Sequence, residues 1–143
     1  MTYDWRSKLF LALSVAGIAI AVYHGYDEIY DTFTSCTLSS SFNCASVFQY
    51  GHDSFLGLRL WVYGAVWFPL CLAIGLWTLW SYGSLVRTNL TAFLMIGNIF
   101  TIWPWYIEIR LDYGHYCPVC ISLYCINYVM TLIALTSMPA PGS

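Results

Sequence analysis

Four long apolar runs constrain the possible folds of this chain more than any other feature of its sequence. They cover residues 9–26, 57–80, 88–109 and 118–138, and an α-helix needs about 20 apolar residues to cross a bilayer. Only 8% of the 143 residues are charged and 59% are hydrophobic, whereas soluble domains carry roughly 25% charged residues. The sequence therefore predicts an all-α integral membrane protein, a four-transmembrane-helix bundle in a single domain over residues 1–143. No small-residue cleavage site follows the first run, so we expect it to be retained as a span.

The six cysteines include two close pairs, Cys36/Cys44 and Cys117/Cys120. The first pair lies in the polar loop at residues 30–56, and the second is a CxxC at the start of the fourth predicted span. Pro118 suits a first helical turn, and a helix N-terminus stabilises a thiolate. With four spans, both pairs share one face of the membrane. Two neighbouring dithiols can exchange electrons, which favours an enzyme that passes electrons between aqueous thiols and a lipid-soluble acceptor.

The orientation in the membrane follows from the basic residues that flank the short loops. Arg6, Lys8 and Arg87 would lie on one side, and Arg59 and Arg110 on the other. Because loops rich in Lys and Arg stay in the cytoplasm, we expect a cytoplasmic N-terminus. Both cysteine pairs would then lie on the extracytoplasmic face of the cytoplasmic membrane. The net charge of −2 and the absence of a basic cluster argue against a nucleic-acid-binding class.

Simpler interpretations of these residues stay open at this point. The loop pair could be a static structural disulfide in a non-enzymatic membrane scaffold. A zinc site fits poorly, because seven residues separate the loop cysteines and one CxxC cysteine lies at bilayer depth. Cys71 and Cys125 lie within spans and are interpreted as small hydrophobes. We predict no metal site, because the three histidines are scattered along the chain: His24, His52 and His115.

The fourth span has one polar face. At about 100° per residue, its polar residues fall within an arc of roughly 80°: Cys117, Cys120, Tyr124, Asn127 and Thr131. Polar groups in a span usually face a bundle interior or a cavity. A phenol one turn below Cys120 can donate a hydrogen bond to a quinone carbonyl, so we predict a pocket role for Tyr124. For Asn127 and Thr131, hydrogen bonding between helices is an equal alternative.

The motifs together resemble the vitamin K epoxide reductase family. They are Cys36, the run Asn43-Cys-Ala-Ser-Val-Phe48, the run Asp53-Ser-Phe-Leu-Gly57 and the run Cys117-Pro-Val-Cys-Ile-Ser-Leu-Tyr-Cys-Ile-Asn127. The resemblance extends from Cys36 to about Asn127. Bacterial disulfide-forming membrane proteins of another type also have four spans and two cysteine pairs, but their CxxC precedes the spaced pair. The order in this chain favours the vitamin K epoxide reductase type.

The resemblance implies a path for electrons. A thioredoxin-like partner would donate them to Cys36, Cys44 would exchange with Cys117, and Cys120 would reach the quinone. No thioredoxin-like domain is fused to this sequence, so we expect that partner to be a separate protein. The small form resembles prokaryotic members, which make disulfides by reducing a respiratory quinone.

The resemblance also implies a quinone pocket lined by Val47, Phe48, Asp53 and Tyr124. The acceptor would be a menaquinone, a ubiquinone or a vitamin K type quinone. Animal members usually have Asn where Asp53 stands, and a carboxyl group can donate a hydrogen bond only when it is protonated. An alternative within the family is a vitamin K quinone or epoxide reductase proper.

Overall fold

Four α-helices contain most of the residues that the structure describes. The structure is a computed structural model, and it describes residues 5–30, 54–55, 58–80, 84–110 and 118–136. In chain order, the elements are α1 (Trp5–Ile29), β1 (Ser54–Phe55), β2 (Leu58–Arg59), α2 (Leu60–Trp80), α3 (Ser84–Arg110) and α4 (Pro118–Thr136). The prediction of a mainly helical chain is therefore confirmed.

Three of the helices contain segments that are long and apolar enough to cross a membrane: Trp5–Ile29, Trp61–Thr78 and Pro118–Thr136. The third helix, α3, contains a shorter apolar segment, Asn89–Ile102. Large apolar side chains also cover the outside of the helices, and Val66, Ile96 and Leu132 are 57–61% exposed. A water-soluble protein rarely exposes so many large apolar side chains on its helices, whereas a lipid environment accommodates them.

The helices differ from the predicted spans mainly at their ends. The helix α1 runs from Trp5 to Ile29, beyond the predicted 9–26 on both sides. At its C-terminal end it continues past the apolar run because His24, Asp27 and Glu28 are buried within the bundle. The second span was predicted to begin at residue 57, but a two-stranded antiparallel pairing of β1 with β2 precedes α2. Strands this short carry no alternating pattern that a sequence could reveal.

The packing brings α1 against α2 and α4, and brings α3 against α4 and α2. The helix α1 approaches α2 closely at Gly17, where an added Cβ would collide with the ring of Phe68. The core consists of Phe10, Phe68, Cys71, Leu90, Leu94, Met130 and Ala134. Pro69 lies inside α2. A proline is tolerated within a membrane helix because neighbouring groups can satisfy the freed backbone carbonyl.

Two polar contacts tie the ends of the bundle together. At one end, Nη1 of Arg6 donates to the backbone oxygen of Thr136 at 2.9 Å, so the start of α1 meets the end of α4. At the other end, Arg59 forms an ion pair with Glu28, whose side chain is 2% exposed. A buried carboxylate needs such a partner. The end of α1 and the start of α4 therefore lie together at the end of the bundle where Arg59 is found.

Candidate functional site

The polar face predicted for the fourth span is buried in the structure. Cys120, Tyr124, Asn127 and Thr131 are 3–8% exposed, whereas Cys125 on the opposite face is exposed to the surroundings. The 3.6-residue period of the helix therefore turns these four polar side chains into the bundle. The fifth member of the face, Cys117, lies outside the described residues.

A cavity of about 500 Å³ opens beside the N-terminal part of this face. All four helices contribute to its largely apolar wall, which includes His24, Trp61, Phe100, Cys120 and Tyr124. Pockets for small ligands have volumes of roughly 300–1,000 Å³. The cavity therefore has room for a flat ring system.

The rim of the cavity lies on the apolar exterior of the protein. Val66 and Leu70 of α2 and Ile96 of α3 line the cavity, and each of them is also 45–61% exposed. An opening between two apolar helix surfaces suits a ligand that arrives from lipid rather than from water.

His24 stands beside the cysteine that lines the cavity. Its Nε2 lies 4.0 Å from Sγ of Cys120, and the two residues are 2% and 4% exposed. Asp27 and Glu28 follow His24 by three and four positions, which places all three side chains on one side of α1. A buried imidazole this close to a thiol can take the proton of that thiol. We name the group His24, Trp61, Cys120 and Tyr124 the thiol end.

This role of His24 was not predicted from the sequence, in which His24 was grouped with two distant histidines. A signal was nevertheless present in the spacing of small and polar residues along α1. Ser14, Gly17, Ala21 and His24 recur every three or four positions and are all buried. The recurrence identifies His24 as part of the packed face of α1.

The C-terminal part of the polar face forms hydrogen bonds between helices. Trp67 Nε1 donates to Oδ1 of Asn127 at 2.9 Å, and Nδ2 of Asn127 donates to Oδ1 of Asn98. Asn98 Nδ2 in turn donates to Oγ1 of Thr131 at 3.0 Å. We name these four residues the amide network. Its bonds favour the structural alternative for Asn127 and Thr131, although Asn127 also lines the cavity.

Two of the eight site residues predicted from the sequence are described by the structure. Cys120 and Tyr124 both line the cavity. The other six lie outside the described residues, and their roles stay predictions: Cys36, Cys44, Val47, Phe48, Asp53 and Cys117.

Comparison with known proteins gives the family of the chain. Residues 8–135 match the model of the Vitamin K epoxide reductase family. The chain belongs to this family. It is also similar to Vitamin K epoxide reductase complex subunit 1 of Mus musculus and of Rattus norvegicus, with 26% and 25% identity over 162 residues. Each alignment covers 97% of this chain and 96% of the relative.

Family membership confirms the resemblance found in the motifs and establishes the general class of the protein. Together with the three membrane-length helices, it shows a multi-pass integral membrane protein with an oxidoreductase function of the quinone or epoxide reductase type. The cavity is compatible with a quinone, because it combines a largely apolar wall with a buried thiol and the phenol of Tyr124.

Proposed function

We propose that the protein is a membrane thiol:quinone oxidoreductase that drives disulfide formation. The observation that carries this proposal is the position of Cys120. Its thiol is buried, lies beside an imidazole and opens on an apolar cavity whose rim reaches the lipid-facing surface. A redox-active thiol needs such a site to meet an acceptor that is dissolved in the membrane.

The proposed relay has four cysteines. Thiols of a separate thioredoxin-like partner reduce the Cys36–Cys44 disulfide, and that partner leaves oxidised. Cys44 then exchanges with Cys117, which transfers the two electrons to the Cys117/Cys120 pair. Re-forming the Cys117–Cys120 bond releases two electrons and two protons. A bound quinone, of the menaquinone, ubiquinone or vitamin K type, supplies the acceptor for both.

The residues of the thiol end would each perform a separate task in the last step. Cys120 lies in the first turn of α4, where the free N–H groups of the helix stabilise a developing thiolate. His24 accepts the thiol proton at Nε2. The phenol of Tyr124 donates a hydrogen bond to a carbonyl oxygen of the ring and stabilises the negative charge that develops there.

The proposed topology places this chemistry at one face of the cytoplasmic membrane. Four transmembrane helices with a cytoplasmic N-terminus bring the loop at residues 30–56 and the CxxC to the extracytoplasmic face. The contacts at the two ends of the bundle support this arrangement, because the end of α1 adjoins the start of α4. Val47, Phe48 and Asp53 of the loop would complete the pocket in a single domain over residues 1–143.

A second candidate function has support from the relatives. Both mammalian proteins are named for vitamin K epoxide reductase, so this chain could reduce a vitamin K quinone or its epoxide. The two candidates differ in substrate. We expect a purified preparation to reduce a respiratory quinone at the expense of a dithiol, and to leave the epoxide of vitamin K unchanged over the same period.

The test of the relay is disulfide mapping in Cys117→Ala and Cys120→Ala proteins after their thiols have been trapped with an alkylating reagent. We expect Cys120→Ala to accumulate a Cys44–Cys117 bridge and to lose all quinone reduction, because the resolving thiol is absent. The matched control is Cys125→Ala, which removes an exposed thiol from the same helix and should behave as the wild type.

The opposite result would support the structural interpretation. If the Cys36–Cys44 bridge stays closed in both variants and Cys120→Ala retains full quinone turnover, the four cysteines do not form a relay. The two disulfides would then be static cross-links of a membrane scaffold.

A further inference from the structure

Trp61 presents a buried hydrogen-bond donor at the wall of the cavity. Its Nε1 atom is inaccessible to solvent and has no hydrogen-bond partner within the part of the chain that the structure describes. The residue lines the same cavity as Cys120 and Tyr124. A buried N–H without an acceptor is rare in folded proteins, and where one occurs it calls for a specific explanation.

A second tryptophan on the same helix provides the contrast. Trp67 also lines the cavity, but its Nε1 donates to Oδ1 of Asn127 at 2.9 Å. The protein therefore supplies an acceptor for one indole of the cavity wall. No described residue supplies an acceptor for Trp61, and a ligand in the cavity that this residue lines can supply one.

The packing around Trp61 fixes the orientation of its ring. An added Cβ at Gly25 would lie 2.5 Å from Cε3 and 2.9 Å from Cζ3 of Trp61, so the benzene edge of the indole rests directly on α1. Nε1 belongs to the opposite edge of the indole and is thereby directed away from the glycine. A ring held in this way donates a hydrogen bond with little loss of conformational entropy.

We propose that the indole N–H of Trp61 is a second hydrogen-bond donor of the quinone site and binds one of the two ring carbonyls. This inference rests on the proposed function, since it names a further binding residue at the same cavity. A quinone carries carbonyl oxygens on two edges of its ring. Donors from two helices, Trp61 of α2 and Tyr124 of α4, allow both oxygens to be bound, which selects a quinone over an apolar ring of the same shape.

The first experiment observes the N–H group directly. Protein labelled with ¹⁵N in its indoles is placed in nanodiscs without a reductant, and the Trp61 signal is assigned as the one absent from Trp61→Phe. The probes are 2,3-dimethyl-1,4-naphthoquinone and 2,3-dimethylnaphthalene, which share a ring shape but differ in the carbonyl oxygens. We expect the quinone alone to move the Trp61 proton downfield, as a new hydrogen bond requires, while the signal of Trp67 moves much less.

The second experiment measures the dissociation constant of the same quinone. Trp61→Phe keeps an aromatic ring against Gly25 but removes the donor, so we expect affinity to fall about tenfold, the value of one neutral hydrogen bond in a buried site. The affinity for the naphthalene should not change. The matched control is Trp77→Phe, at a tryptophan that is 63% exposed, and it should bind the quinone as the wild type does.

The outcomes separate this inference from the proposed function. If the wild type binds and reduces the quinone, but Trp61→Phe binds it equally well and both probes shift the Trp61 signal alike, the inference is wrong and the proposed function stands. If the wild type neither binds nor reduces the quinone, the proposed function fails and the role of Trp61 fails with it.

Discussion

The thiol end and the amide network occupy successive turns of the same polar face, yet they treat their polar groups differently. In the amide network the side chains of Trp67, Asn98, Asn127 and Thr131 bond to one another. At the thiol end, Cys120 and Trp61 line the cavity, and Nε1 of Trp61 has no hydrogen-bond partner among the described residues. Polar groups that satisfy one another join helices, whereas a polar group in the wall of a cavity can bind a ligand.

The largest effect after loss of a cysteine should come from His24→Gln. Glutamine keeps hydrogen-bonding capacity but cannot accept a proton at neutral pH, so it cannot take the proton of Cys120. We expect quinone turnover to fall about 100-fold, the contribution typical of a positioned general base. Stopped-flow reduction of 2,3-dimethyl-1,4-naphthoquinone measures the turnover.

The alkylation rate of the Cys120 thiol, measured in His24→Gln without any quinone, distinguishes a proton acceptor from a structural role of His24. If His24 accepts the proton, this rate should fall together with turnover, while the melting temperature stays near that of the wild type. An unchanged alkylation rate combined with normal turnover would exclude His24 as the proton acceptor.

An intermediate effect is expected from Tyr124→Phe. Removal of the phenol hydroxyl deletes one hydrogen bond to the ring carbonyl, so kcat/KM for the quinone should fall about tenfold. Exchange with the thioredoxin-like partner should be unchanged. Tyr128→Phe is the control, because the hydroxyl of Tyr128 in α4 forms a hydrogen bond of 2.9 Å with Thr101 in α3. Equal losses in both half-reactions of Tyr124→Phe would contradict a pocket role.

The smallest effect on turnover should come from the amide network. Asn127→Ala removes the side-chain bonds to Trp67 and Asn98, so we expect a loss of about 1–2 kcal/mol in the free energy of unfolding. Quinone turnover should change less than about threefold, below the tenfold expected of a single hydrogen bond to the ring. The free energies of unfolding of Asn127→Ala and of a control, Asn89→Ala, are measured by thermal unfolding in the same detergent. Asn89→Ala alters an exposed asparagine of α3. A turnover loss as large as that of Tyr124→Phe would erase the distinction between the two regions.

The sequence was sufficient to predict the helices and the buried face of α4. A membrane helix satisfies its own backbone hydrogen bonds, so its position can be inferred from apolar length alone. The period of 3.6 residues then places Cys120, Tyr124, Asn127 and Thr131 on one side. These inferences need no knowledge of how the helices pack.

The contact between His24 and Cys120 could not be predicted in the same way. The two residues are 96 positions apart, and their meeting depends on how α1 is set against α2 and α4. That register is determined by close packing, as where Phe68 occupies the space beside Gly17. Apolar periodicity shows which face of α1 is buried but does not show which residue of α4 lies opposite His24.

The exposed rim formed by Val66, Leu70 and Ile96 has a consequence for how substrate supply is measured. A quinone that entered between α2 and α3 would keep any isoprenoid tail among the acyl chains and deliver only its head group. Its effective concentration is then a mole fraction in the bilayer. Diluting the proteoliposomes with buffer that holds the dithiol concentration constant would leave the turnover rate unchanged, whereas adding lipid at constant quinone would lower it.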